Sequence, residues 1–454
     1  MLFALSFCLL ISGCGSKKVA LDPDLARAVA EKKALAKQFA IGETNPIPSD
    51  TWKFFDLLER GDWHGATNAY RRIWQPNYLV APDNIGGELL EWFRRQYGWR
   101  EPLSGLNAPL CSSISETMGI AQCFHDWDPE LLHRFGRDII ESIPTDSIYF
   151  GGMTAGHFIV TALSGSYQGG RPFYILNQNV LDHEAYRKYL GRVYGTKIYV
   201  PNERDITNAF QDEAQSFTER MRSQQITPAK AISNGTVTAI SVISEMQIGV
   251  INGFLVERMA QANPGHEVFV EESFRTDWHP YAYLVPHGLI FKLEPQPLAK
   301  LDDAIVRKDH EYWKLYTAQL IGDWLTEDTS MKQVCEFADK VYSRKDLSGF
   351  TGNKTFARNS AAQKAYAKLR VAIAVLYAWR AEHAATNEER NAMEKEANYA
   401  FRQAVALCPW SAEVVGRTVD YLGGTRPEDA SLITQTRQRL TPTNCQAVPF
   451  LPDD

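Results

Sequence analysis

"DSIYFGGMTAGHFIVTALSGSYQGGRPFYILNQN", residues 146–179, is the stretch whose reading decides the fold. Its two ends are short runs dense in β-branched and aromatic residues, and the middle, "TAGHFIVTALSGSY", fits a helix. Strand, helix, strand in so few residues predicts a parallel pair joined by a crossover helix. The same alternation continues downstream. "DHEAYRKYLGRVYG" reads as a helix, "KIYVP" as a short strand, and residues 205–224 as a long polar helix. Asn234-Gly235 lies between two alternating runs and predicts a β-hairpin. A long helix over 241–262 follows and ends at Asn263-Pro264-Gly265, before strands in "HEVFVEE" and "GLIFKLE". Residues 143–296 therefore read as a central, mainly parallel α/β sheet domain.

In such a sheet, ligands bind beyond the carboxyl ends of the strands, where helix N-termini present unpaired N–H groups. The first strand leads into Gly151, Gly152, Thr154 and Gly156, which could let a backbone approach a ligand. The second ends in Asn177, Gln178 and Asn179, neutral groups suited to sugars. The third ends in Glu271 and Glu272, followed by Asp277, Trp278 and His279. General acid and base work needs converging carboxylates, and Glu271 or Glu272 with Asp277 is the pair placed at the expected cleft. A solvated strand edge and a packed aromatic loop are the plainer readings of the same residues. HExxH, GxSxG, Walker and DxDxDG motifs are all missing. His125, Asp126 and Asp128 in "HDWD" read as a helix cap rather than metal ligands, and His157, His183 and His287 stand isolated in sequence. No metal and no cofactor is expected.

The flanks are helical. "LDPDLARAVAEKKALAKQFA" is a charged helix with Leu25, Val29, Leu35 and Phe39 near one face, read as part of a tether and stalk over 14–49. Residues 50–142 form an N-terminal helical region opening with a hairpin, one arm carrying Trp52, Phe55 and Leu58 and the other Ala66, Tyr70 and Ile73. Cys111 and Cys123 bracket the polar segment "CSSISETMGIAQC". They are read either as a disulfide closing a loop or, with Cys335, Cys408 and Cys445, as small buried apolar groups. Beyond Pro297 every strong pattern is helical. In "ANYAFRQAVALCP", Ala397, Phe401, Ala404 and Pro409 match the second-helix spacing of a tetratricopeptide repeat, and Ala430 and Pro442 recur close to that repeat's period. The resemblance implies a C-terminal tetratricopeptide-like region over 297–454, with a plain helical bundle as the alternative.

Forty-eight basic against fifty-four acidic residues give a net charge of −6, with no Lys/Arg-rich run, so nucleic acid is not an expected partner. The apolar run over 2–11 is too short to span a bilayer. Ile11-Ser12-Gly13-Cys14 resembles the bacterial lipobox, which implies a signal peptide over 1–13 and acylation at Cys14. Gly15, in place of the aspartate that retains many lipoproteins in the inner membrane, implies an outer-membrane anchor facing the periplasm, with inner-membrane anchoring the alternative.

Residues 143–293 also resemble the soluble part of bacterial membrane glycosyltransferase-like proteins of the protein-mannosylating type. The likeness rests on "IPTDSIYFGG", the second strand with its Asn-rich end, the Tyr-containing helix after it, and "GLIFKL". That family's first turn is rich in aspartate, whereas here only Thr154 matches, and transferase chemistry housed in its membrane half does not carry over. The combined expectation is a lipid-anchored module that binds other envelope proteins through its helical repeats. A sugar- or glycan-binding accessory or enzyme using the strand-end cleft is the alternative.

Overall fold

The computed structural model describes residues 21–74, 106–152, 155–165, 172–222, 236–271 and 279–444. Five short strands form one mixed sheet in the order β2-β1-β3-β5-β4, with β1 Ile148–Gly151, β2 Tyr174–Asn177, β3 Val268–Val270, β4 Leu284–His287 and β5 Ile290–Leu293. β1 pairs in parallel with β2 and β3, while β5 runs antiparallel to both β3 and β4. The expected mainly parallel sheet is thus a mixed one. The difference is that β5 runs antiparallel to β3, following β4, a strand the sequence did not reveal because Pro286 interrupts it. Proline lacks the N–H of a ladder donor and is tolerated on an edge strand, which is where β4 lies.

Helices α1 (Pro23–Ala40), α2 (Ser49–Glu59), α3 (Trp63–Trp74), α4 (Ala108–Asp126) and α5 (Pro129–Ser142) precede the sheet. α6 (Ala155–Ser164) makes the β1-to-β2 crossover, and α7 (Glu184–Tyr194), α8 (Glu203–Arg222) and α9 (Thr236–Ala262) lie between β2 and β3. Each start has a local cause. Asp22 caps α1, accepting from the Asp24 and Leu25 amides, and Asp128 caps α5 in the same way, with proline in the first turn of both.

Four expectations give way here. α1 is not a stalk: Leu25, Ala28, Val29, Ala36 and Phe39 are buried, and the helix packs along α4. "CSSISETMGIAQC" is not a loop but most of α4, so Cys111 and Cys123 sit twelve residues apart on one helix. At 1.5 Å of rise per residue they are about 18 Å apart, beyond the reach of a disulfide, and both are buried thiols outside any disulfide, as are Cys335 and Cys408. The second arm of the expected Asn234-Gly235 hairpin is the start of α9, and residues 223–235 lie outside the described ones. "KIYVP" is not a strand. Tyr199 donates its N–H to Asn263 Oδ1 instead of to a ladder partner.

After β5 the chain is helical: α10 (Asp303–Ile321), α11 (Met331–Ala338) running into a π-turn, α12 (Ser360–Glu382), α13 (Asn387–Leu407), α14 (Ala412–Gly423) and α15 (Pro427–Asn444). α12 and α13 form the most extensive helix pair of the fold, and α14 packs with α15. This helical region docks on the sheet region without a break in the core. Trp313 of α10, fully buried, donates its indole N–H to Gly288 O at 3.2 Å. Arg380 of α12 donates to the carbonyls of Tyr281, Ala282 and Leu298. Phe135 of α5 meets Tyr366 of α12 edge-on at 5.1 Å between centroids.

Candidate functional site

Strand register brings the expected strand-end residues into one row. Gly151 stands opposite Asn177, and Phe150 opposite Val270, so Glu271 follows directly beside Gly151. The backbone continues the ladder one step further: Gln178 N–H donates to Gly151 O and Glu271 N–H to Phe150 O, both at 2.9 Å.

Glu271 is 2 % exposed. Its Oε2 accepts the Gly152 N–H at 2.5 Å and the Tyr149 hydroxyl at 3.2 Å. Its carboxylate lies against the Cα of Gly156, in the first turn of α6, so closely that a Cβ there would overlap it. Gly151 likewise has no room for a side chain, because the backbone of His157 occupies that space. The small residues after β1 therefore let the chain's own carboxylate fill the place beside a helix start where an α/β fold offers N–H groups to an anion.

Asn177 and the backbone of Asn179 are also engaged. Asn177 Oδ1 accepts the Asn179 N–H at 3.0 Å, and the Asn177 N–H donates to the Tyr186 hydroxyl at 2.7 Å. The Asn179 carbonyl accepts from Asn252 Nδ2. Gln178 is 1 % exposed and its Oε1 has no hydrogen-bond partner among the described residues. Thr154, Glu272, Asp277 and Trp278 lie outside the described residues, so of the expected carboxylate pair only Glu271 is placed.

The sequence did not single out a buried group of ionisable side chains that includes His157, next to Gly156 in the first turn of α6. Glu116 of α4 forms an ion pair with Lys32 of α1, accepts the Tyr189 hydroxyl of α7 at 2.6 Å, and lies 3.1 Å from His157 Nε2. Lys32 also donates to the Tyr189 hydroxyl at 2.9 Å. All four side chains are buried. Burial alone would push the Glu116 carboxyl up. The Lys32 ammonium and His157 outweigh it and hold the group well below the ordinary carboxylate range. A narrow crevice bordered by Lys32, Glu116, Thr161 and Tyr189 opens beside the cluster, with room for little more than a water. The sequence hid this group because its members come from four separate helices and each looked ordinary alone: a lysine in a charged helix, a glutamate in a polar segment, an isolated histidine.

The other isolated histidines are bound in place as well. His287 Nε2 lies 2.7 Å from Ser142 O, and His183 Nε2 lies 3.7 Å from Asp182. His125 stacks on Trp63 at 4.5 Å. In the C-terminal region, Ala397, Phe401 and Ala404 of α13 are buried, with Phe401 stacked on Tyr421 of α14 at 4.6 Å, and Pro409 follows the end of α13. Behind them Arg370, with no exposed surface, donates to Asp309 Oδ2 at 3.0 Å and to Gln403 Oε1 at 2.7 Å.

Among the described residues no helix is long and apolar enough to cross a membrane. Cys14 and the rest of residues 1–20 lie outside them. Compared with known proteins, the chain matches no family model, no curated protein and no solved structure.

Proposed function

We propose that this chain is a membrane-anchored, periplasm-facing lipoprotein that acts as a scaffold, holding other envelope proteins through its helical C-terminal region. The observation that carries the reading is Glu271. A fold that spends the anion-accepting position beside β1 and α6 on a carboxylate of its own, bonded to Gly152 and Tyr149 and wedged against Gly156, has closed the place where chemistry on a charged substrate would start. The glycan reading loses support at Asn177, which is 8 % exposed and whose Oδ1 accepts the Asn179 N–H. The tetratricopeptide-like reading rests on buried Ala397, Phe401 and Ala404 of α13, which pairs with α12, and on the α14–α15 pair that follows. The anchor rests on the lipobox-like residues ending at Cys14.

The test is affinity capture of the full-length chain from a detergent extract of its own membranes. A second capture uses a variant with charge-reversing substitutions on the exposed faces of α14 and α15. The same envelope proteins recovered in replicate captures with the native chain, and lost with the variant, support the scaffold. A capture with no reproducible partner, or saturable binding of an oligosaccharide that Asn179→Ala abolishes, overturns it.

A further inference from the structure

We propose that Asp22, Asp24 and His133 form a binding site for a divalent transition-metal ion of the zinc class, which clasps the first turn of α1 to α5. The two aspartates flank the start of α1 and the histidine comes from α5, more than a hundred residues away in sequence, yet one ligand atom from each lies within 4.8 Å of the other two. The oxygens divide their work. Asp22 Oδ1 accepts the amides of Asp24 and Leu25, and Asp24 Oδ1 accepts from Arg27 Nη2 at 3.1 Å. The Oδ2 atoms of both residues lie beside the imidazole, at different ring nitrogens: Asp22 at 3.1 Å from Nε2 and Asp24 at 3.7 Å from Nδ1.

Zinc–nitrogen and zinc–carboxylate bonds of about 2.0–2.2 Å require ligand atoms roughly 3–4 Å apart. One ion takes one ring nitrogen, so the Asp24 carboxylate must swing toward the nitrogen that faces Asp22, closing the span of up to 4.8 Å between the three ligand atoms. The hydrogen bonds to the two Oδ1 atoms supply the outer-shell orientation that ligating carboxylates need. Phe124 packs edge-on against the His133 ring at 6.2 Å and limits its rotation. The three side chains are 26 %, 23 % and 26 % exposed, which leaves the remaining coordination positions open to water. Two carboxylates match the charge of a dication, and the imidazole favours a transition metal over magnesium or calcium. The site is independent of the scaffold reading.

The experiment is calorimetric titration of zinc chloride into chelator-stripped, dialysed full-length protein. His133→Gln, which keeps a donor toward Asp22 but no imidazole, and Asp24→Asn are titrated in parallel. The native chain is expected to take up one zinc ion and to unfold at a higher temperature with zinc than without. Both variants are expected to bind at least about tenfold more weakly, while unfolding without zinc as the native chain does. Magnesium chloride in place of zinc is expected to give no saturable heat. Absence of saturable zinc binding by the native chain, binding unchanged in either variant, or magnesium bound as tightly as zinc overturns the proposal. Should one variant fail to fold, the other alone decides.

Discussion

Replacing Lys32 by methionine tests whether the buried quartet is an energetic clamp. Methionine fills nearly the same volume on α1 but removes the ammonium that pairs with Glu116. Breaking a buried ion pair by deleting one partner costs about 3–5 kcal/mol, because an uncompensated charge stays inside. Here Glu116 keeps the Tyr189 hydroxyl at 2.6 Å and His157 Nε2 at 3.1 Å, so the lower end, about 3 kcal/mol, is expected. Adding Glu116→Gln removes the stranded charge and leaves an amide that still accepts from Tyr189. The double variant should regain at least about 1 kcal/mol over Lys32→Met alone.

The pH dependence follows with a definite sign. In the native chain the folded Glu116 carboxyl titrates below its ordinary value near 4.5. Its contribution is therefore fully present above that value and is lost as pH falls through the acid range toward the folded pKa. Without Lys32 the largest attraction on the carboxylate is gone and that acid limb flattens. Urea unfolding of the native chain and both variants between pH 3 and pH 7 reads all three quantities. A loss under about 1 kcal/mol for Lys32→Met, or a double variant no more stable than the single, refutes the clamp.

Gly156→Ala should destabilise by about 1–3 kcal/mol in urea unfolding, since its Cβ overlaps the Glu271 carboxylate; an unchanged midpoint would mean that Glu271 is not wedged there. Ala404→Phe should cost a similar amount by overpacking the core around α13, where Ala404 has no exposed surface. Because the core runs without a break from α1 to α15, that loss should appear as a shift of one transition, and two separately moving transitions would contradict it. Cys111 and Cys123 should react with a thiol reagent once the chain is unfolded without reductant, and resist it when folded, as befits buried thiols. For Cys123 in particular, burial, with the charges of Asp126 and Glu271 behind it, pushes the thiol up and keeps it protonated. Cys14→Ser should abolish incorporation of labelled palmitate if Cys14 is the acylation point, and equal labelling of both chains would remove the anchor.

What was legible in the sequence was the part that burial alone dictates. β1, β2 and β3 are three or four residues of nearly unbroken burial, and a short apolar run between turn signals can be read as a buried strand. α5 and α7 carry periodic apolar faces, and α6 is an apolar run buried nearly all round. What was not legible depends on partners distant in the chain. α4 looked like a loop because Ser112, Ser113, Glu116 and Thr117 are polar, yet all four are buried. Thr117 donates to Ser113 O within the helix, Ser113 donates to Lys32 O on α1, and Glu116 pairs with Lys32. Polarity marks a surface only when no partner is at hand, and the partners lie some eighty residues away. The strand-end row reads in the sequence as facing a ligand, whereas the Glu271 carboxylate accepts the Gly152 N–H and Asn177 Oδ1 accepts the Asn179 N–H.

The buried polar groups share one arrangement, and it explains why a break in sequence pattern need not be a break in the fold. Lys32, Glu116, His157 and Tyr189 tie together α1, α4, α6 and α7; Asp309, Arg370 and Gln403 tie together α10, α12 and α13. Arg380 then fastens α12 to three carbonyls of the segment around β4, across the point near Pro297 where the pattern turns wholly helical. Apolar packing tolerates small slides of one helix on another, whereas a buried charge with its partner displaced is left unpaired, at a cost of several kcal/mol. Each of these groups therefore fixes a register as well as adding stability. Because they bridge the helical and sheet regions, the surface of the helical region is held in a set orientation to the sheet. A rigidly presented surface is what a scaffold requires, since a partner then binds without first ordering it.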